Sequence, residues 1–270
     1  MTTVLRDGAP SAFSAELALA REVAAAAGAL LVDRLGRVGR ISHKSPKDVV
    51  TEVDHLSEAL ILDAIRATFP DDGVLAEESG SGIGRSDRVW VVDPLDGTVN
   101  YANGIPIFCV SIALVVDGRP SIGVVHDPVR GETYAASADG PATLDGSPIA
   151  LAPKPLMSDF VISLTIDGPR LAERLAAVRE AIRVTRRIGS SALALAYVAN
   201  GRFDAFAQTH GLSAWDVAAA GLIAERAGAR VTDAAGGPWL DLGRGSATFG
   251  VVAAPPAHHA RLLELVRRPG

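Results

Sequence analysis

The sequence is poor in cysteine, in long apolar runs and in basic charge. Cys109 is its single cysteine, which excludes an intramolecular disulfide and a cysteine-rich zinc module. A reducing, cytoplasmic setting fits that usage. The six histidines show no zinc-ligand spacing. The best apolar run, Phe108 to Val116, is about half the length of a membrane span and contains Ser111. Ala12 to Leu35 is rich in alanine but carries Glu16, Arg21, Glu22 and Asp33. It therefore reads as an amphipathic helix and not as the apolar core of a signal peptide. Lys+Arg total 26 against 31 Asp+Glu, a formal net charge of −5. That balance leaves no electrostatic footprint for nucleic acid, and neither a nucleic-acid nor a membrane partner is expected.

What is present suits a folded globular chain: 48% hydrophobic and 21% charged residues. A length of 270 residues corresponds to one or two domains at about 150 residues each. A helix is predicted over 12–36. A second runs from Asp54 or His55 to Phe69, with Leu56, Leu60, Ile61, Ala64 and Ile65 on one face. Short strands follow at 74–76 and 89–92, separated by a glycine-rich stretch. Antiparallel strands are predicted at 108–116, 121–126 and 132–137, with Asp117-Gly118 and Asp145-Gly146 as tight turns. Past 150–158, where Pro153 and Pro155 flank a lysine, the pattern changes. Strands near 160–164, 184–187 and 204–208 alternate with helices at 170–182, 190–200, 215–227 and 257–267. The fold class expected is α+β, with an antiparallel-rich half over 1–152 and a smaller α/β half over 153–270. No linker is long enough to let the halves separate.

The richest segment is Trp90-Val91-Val92-Asp93-Pro94-Leu95-Asp96-Gly97-Thr98. A buried strand ends in two carboxylates three residues apart. Pro94 biases Asp93 toward extended backbone. Asp93 and Asp96 offer hard oxygen ligands for magnesium, and the Gly97 and Thr98 amides could cradle a phosphate at a helix start. An Asp-rich turn explains the same string without any function. Glu77-Glu78 could equally be a solvated loop, Asp54 an N-cap and Asp216 a favourable charge at a helix start.

Taken together the segments resemble a known family. Lys44-Ser45-Pro46-Lys47-Asp48-Val49-Val50-Thr51-Glu52-Val53-Asp54, Glu77-Glu78-Ser79, Asp93-Pro94-Leu95-Asp96-Gly97-Thr98 and Trp215-Asp216-Val217-Ala218-Ala219-Ala220-Gly221 occur in the order of the inositol monophosphatase family. The resemblance covers nearly the whole chain. It implies layered αβαβα architecture, a homodimer, and a phosphomonoesterase using roughly two or three magnesium ions per site. By that resemblance Glu77, Asp93, Asp96, Asp216 and the Leu95 carbonyl hold the metals. Thr98 and Glu77 orient the attacking water, and Asp54 supports Thr98. Glu78 is a further supporting acid, and Lys44 helps hold the phosphate or its water. Hydrolysis is direct, so Cys109 is read as a packing residue.

For the substrate, Ser190 and Ser191 are expected to meet polyol hydroxyls, with an N-cap as the competing role for Ser190. Arg186 is expected to be structural or to reach across a subunit contact. Inositol-specific members carry a glutamate shortly before the Trp-Asp motif. This chain has none there, so Gln208, Thr209 or His210 is left for that role, alongside Asp96 and Asp216. Ala76 stands where a glycine is usual. The leading substrate is myo-inositol 1-phosphate. Fructose 1,6-bisphosphate, histidinol phosphate, NADP(H) and nucleotide 3′-phosphates are the alternatives, and a regulatory protein of transcription or the ribosome is the alternative of another class.

Overall fold

The computed structural model describes residues 12–37, 41–45, 48–82, 87–244 and 248–267. Its first half opens with α1 (Ser14–Arg34), a hairpin of β1 (Ile41–Ser45) and β2 (Asp48–Thr51), and α2 (Glu52–Thr68). Then come β3 (Gly73–Ala76), β4 (Gly80–Gly82), β5 (Arg88–Asp96), α3 (Thr98–Ala102), β6 (Cys109–Val116), β7 (Arg119–Asp127), β8 (Glu132–Ser137), β9 (Thr143–Leu144) and β10 (Ser147–Pro148). β3 to β10 form an eight-stranded sheet in the order β10-β9-β8-β7-β6-β5-β3-β4. It is antiparallel except where β3 runs parallel to β5. The Asp117-Gly118 and Asp145-Gly146 turns hold both residues at positive φ, as two-residue hairpins of this twist require.

The second half contains β11 (Val161–Thr165), α4 (Leu171–Ala181), β12 (Val184–Arg186), α5 (Ser191–Ala199), β13 (Ala205–Leu212), α6 (Ala214–Arg226), β14 (Arg230–Asp233), β15 (Phe249–Ala254) and α7 (Pro256–Val266). Its five strands are ordered β12-β11-β13-β15-β14.

Strand alternation builds five layers. Trp90 and Val92 of β5, with Val110, Ile112 and Leu114 of β6, pack on α1 and α2. Val91, Cys109, Ala113 and Val115 face the other way, onto α5 and α6. Those two helices also cover Phe206, Val251 and Ala253 of the second sheet. Ala205, Ala207, Val252 and Ala254 point outward onto α4 and α7. The order is helices, sheet, helices, sheet, helices. Alternation of side chains on a strand makes each buried sheet serve two cores.

Several local expectations need correction. α2 begins two residues early because Thr51, not Asp54, is its N-cap; the Thr51 amide donates to Asp54 Oδ2 at 2.8 Å in a capping box. β4 and the β1–β2 hairpin occupy segments read only as loop or motif. α1 buries one face through Ala20, Val23, Ala24, Ala27 and Leu31, yet Ala25, Ala26 and Ala29 are exposed. Alanine on both faces makes that helix sided by burial and not by hydrophobic contrast. α6 lies close on β7: a Cβ at Gly123 would stand 2.6 Å from the Ala219 carbonyl oxygen.

Candidate active site

The site gathers where the carboxyl ends of β3 and β5 meet the helices of the middle layer. Ala76 pairs with Val92, and the Glu77 amide donates to the Val92 carbonyl at 3.2 Å. This brings Glu77 level with Asp93. Ala76, in the place of the usual glycine, is extended within β3 and needs no positive φ. The β5–β6 register shifts between Asp93 and Asp96, where Pro94 has no N–H to give the ladder. The Leu95 amide turns back to Asp93 Oδ1 at 3.0 Å.

Asp96 reaches the N-terminus of α5. Its Oδ2 accepts from Ser190 Oγ at 2.5 Å, the Ala192 amide at 2.7 Å and the Cys109 thiol at 3.7 Å. Asp216 is the third residue of α6, in a capping box in which the Ser213 amide donates to its Oδ2 at 2.6 Å. Asp93, Asp96 and Asp216 each offer a carboxylate oxygen, all within 4.8 Å of one another. Two of the three acids thus sit at positive helix ends, a placement worth about 0.3–1 kcal/mol each.

Burial, and after it the charges of Glu77, Asp96 and Asp216, push Asp93 well above the usual carboxylate range. Burial raises Asp96 as well, against the lowering effect of Ser190 and the α5 amides. Burial and Asp96 raise Asp216, with a smaller push from Glu77. Mutually repelling, buried oxygen donors fit a hard divalent cation, which favours carboxylate and carbonyl ligands.

Thr98 Oγ1 lies 3.1 Å from Asp54 Oδ1 and 3.0 Å from the Leu95 carbonyl. Asp54 is fully buried; burial raises its pKa although hydrogen bonds from Thr51 and Thr98 oppose this. Gly97 has φ of 101°, and a Cβ there would meet the Ile107 carbonyl at 3.0 Å. The left-handed turn and the tight neighbours both demand glycine.

The remaining expected residues fall into separate places. Ser191 Oγ donates to Gln208 Oε1 at 3.3 Å, and Gln208 Nε2 donates to the His210 carbonyl. With Ser190, Ser163, Thr165, Arg187 and others, Ser191 and Gln208 line a small polar crevice of about 140 Å³. Ser190 makes no side-chain cap bond to α5; it is buried, and its hydroxyl proton is committed to Asp96. Arg187 lines the crevice, whereas Arg186 is exposed and bonds the Thr185 carbonyl. His210 is exposed. Thr209 lines a different cleft, beside α7. Lys44 lies on β1, with its side chain outside the described residues. So do residues 83–86 of the glycine-rich stretch.

Three residues, Glu58, Ser57 and Asn100, were missed from sequence. Glu58 of α2 is buried and accepts the Glu78 and Ser79 amides, each at 2.9 Å, so it pins the turn that carries Glu77. Its spacing of four from Asp54, on the same helix face, was the available signal. Ser57 Oγ donates to the Pro94 carbonyl at 2.9 Å. Asn100 Nδ2 bridges the Ile107 and Ile188 carbonyls, each at 2.8 Å. Cys109 packs as expected but also touches Asp96; burial pushes its thiol well up, which disfavours the thiolate a nucleophile needs.

A five-layered α+β fold with an acid cluster at a strand-and-helix edge defines a site suited to a divalent metal ion. The chain belongs to the inositol monophosphatase family, whose model matches residues 14–269. It is 41% identical over 203 residues to the Nus factor SuhB of Pasteurella multocida, covering 72% of this chain and 75% of that one. It is 37% identical over 211 residues to a fructose-1,6-bisphosphatase/inositol-1-monophosphatase of Thermotoga maritima, covering 77% and 81%. Among solved structures, the extragenic suppressor protein suhB of Bartonella henselae superposes with a TM-score of 0.88 at 32% identity, covering 95% of this chain and all of that one. Membership makes the chain a phosphatase-type hydrolase with a metal-dependent centre.

Proposed function

We propose that the chain is a magnesium-dependent phosphomonoesterase that releases phosphate from a small polyol phosphate, with myo-inositol 1-phosphate the leading substrate. The observation that carries this reading is the convergence of Asp93, Asp96 and Asp216 beside the Thr98–Asp54 pair. Asp93, Asp96 and Asp216, with Glu77 and the Leu95 carbonyl, would hold magnesium, which supplies acidified water and neutralises charge on the leaving oxygen.

The chain's own residues do the positioning. The single hydroxyl proton of Thr98 is committed to Asp54 or to the Leu95 carbonyl, which leaves its oxygen as an acceptor for the attacking water. Glu77 would orient the same water. The amides of Gly97 and Thr98 open α3 and would receive phosphate oxygens. Ser191 and Gln208 would meet the hydroxyls of the polyol from the crevice, and Ser190 would act only through Asp96. A homodimer in the cytoplasm belongs to the same reading, and sedimentation of the purified chain tests the dimer.

A second substrate has a specific observation behind it. Arg187 lines the crevice, and its guanidinium suits a second phosphate, so fructose 1,6-bisphosphate is the runner-up. The deciding experiment is phosphate release with magnesium and with EDTA. The panel holds inositol 1-phosphate, fructose 1,6-bisphosphate, histidinol phosphate, NADP and adenosine 3′,5′-bisphosphate. Magnesium-dependent turnover of inositol phosphate far above the rest is expected, and Asp93→Asn abolishes it. Turnover that persists near the wild-type rate in Asp93→Asn would refute the metal assignment. No turnover of any compound would favour the reading of the chain as a regulatory protein.

A further inference from the structure

Gln208 and Thr209 are neighbours on β13 but serve opposite faces of the second sheet. Gln208 lines the substrate crevice with Ser190 and Ser191. On the other face Ala205 and Ala207 pack in the core beneath α4 and α7, and Thr209 follows them there. It lines a separate cleft of about 300 Å³ with Ala234, Ala235 and Arg267. The Thr209 side chain is the unusual element. The residue is only 8% exposed, and its hydroxyl has no hydrogen-bond partner among the described residues. A buried polar atom without a partner is costly and calls for an explanation. A ligand that fills the cleft supplies one.

The chemistry of the cleft defines that ligand. Arg267 stands at the end of α7, and one Nη2 proton is held by the Ala235 carbonyl. A guanidinium has five donors, so several remain for a carboxylate or phosphate. The acid of the adjoining turn, Asp233, is occupied: its Oδ1 accepts the Ala235 and Gly237 amides and its Oδ2 faces Arg244. Arg267 also borders a larger cleft of about 430 Å³ between α4 and α7. In that cleft Arg261 pairs with Glu264, Arg170 faces Glu173 at 4.0 Å, and Arg174 is held by the Asp167 and Val266 carbonyls, so the charge offered to an anion rests on Arg267. The walls formed by Ala234 and Ala235 are apolar, and a volume near 300 Å³ lies at the small end of ligand pockets, roughly 300–1,000 Å³. A small organic anion fits better than a bare ion.

We propose that this cleft is a second binding site, distinct from the hydrolytic centre, for a small organic anion bearing a carboxylate or phosphate-type group. Arg267 pairs with the anionic head, and Thr209 Oγ1 donates its unused proton to the same group. The site lies one residue behind the substrate crevice on the same strand. It does not depend on the phosphatase reading, because binding there is measured without turnover.

The test is methyl NMR on the full, magnesium-loaded chain with ¹³C-labelled alanine, titrated with succinate in one arm and methylphosphonate in the other. A saturable shift of the Ala234 and Ala235 methyls is expected in at least one arm, and the arm that responds names the head group. Thr209→Val and Arg267→Met should each weaken that binding at least tenfold. Without probe, Thr209→Val should melt at or above the wild-type temperature, because it deletes a hydroxyl that has no partner among the described residues. Failure of both probes to move those methyls would overturn the proposal. So would binding unchanged in both variants, or a lower melting temperature for Thr209→Val.

Discussion

Replacing Ser190 with alanine separates two roles that sequence alone leaves open. A serine facing the substrate would change KM for the phosphate ester. A serine that holds Asp96 would change the affinity for magnesium. Its hydroxyl lies 2.5 Å from Asp96 Oδ2 and makes no cap bond to α5, so alanine removes one charge-assisted hydrogen bond and leaves the helix start intact. Such a bond contributes about 1.5–3 kcal/mol. Removal of a group that orients a metal ligand costs roughly 10–100-fold in metal affinity, or about 1.4–2.7 kcal/mol at 1.36 per decade. The two scales agree. Loss of the hydroxyl also removes the largest influence opposing the burial that raises Asp96, so protons compete better with the cation. Calorimetric magnesium titration and the magnesium dependence of phosphate release should both show the 10–100-fold loss, with turnover recovering at saturating magnesium. An unchanged magnesium affinity together with a raised KM would refute the reasoning and return Ser190 to the substrate.

Asp54→Asn should lower kcat by roughly 10–100-fold with little change in magnesium affinity, since Asp54 acts through Thr98 and Thr51; steady-state kinetics over a magnesium series check this. Gly123→Ala should cost about 1–3 kcal/mol in thermal unfolding, because the new Cβ would stand 2.6 Å from a backbone oxygen of α6 that no rotamer change can move. His126 is buried and its pKa is lowered, chiefly by burial. The unfolded chain therefore binds the proton first, and stability falls as pH drops through the unfolded value of about 6.5. Melting at fixed magnesium between pH 7 and pH 5 should fall less in His126→Gln than in the wild-type protein, and equal slopes would contradict the assignment.

The legible parts of this chain are those governed by short-range rules. The period-2 strands over 132–137 and the paired Asp-Gly turns matched because alternation and positive φ are local properties. The acids beside them were visible for the same reason, since Asp93 and Asp96 stand three residues apart on one segment. What sequence did not show is which partner each polar group takes. Ser190 had the pattern of an N-cap, but a capping residue and a residue that reaches a distant carboxylate share the same composition. Its choice depends on Asp96, 94 residues away in the chain. Glu58 was overlooked because a helix glutamate is ordinarily solvated; only the fold brings the amides of Glu78 and Ser79 to it. Thr209 was grouped with Gln208 and His210 by adjacency, and the pleat put it on the other face.

The placement of the acids also explains why the fold tolerates them. Buried carboxylates that repel one another oppose folding unless something favours their charge. Here each has backbone help: Asp93 from the Leu95 amide, Asp96 from the first turn of α5, and Asp216 from the Ser213 amide at the start of α6. Both helices belong to the middle layer, and both pack against the two sheets. Their amino ends therefore open onto the edge where β3 and β5 finish. The proposed metal site is in this sense a product of layer order. The parallel β3–β5 pair brings Glu77 and Asp93 to a common edge, and the helices sandwiched between the sheets supply the positive ends that keep three acids ready to take a cation. A helix moved to an outer layer would leave Asp96 or Asp216 without that support, even with every residue of the acid motifs retained.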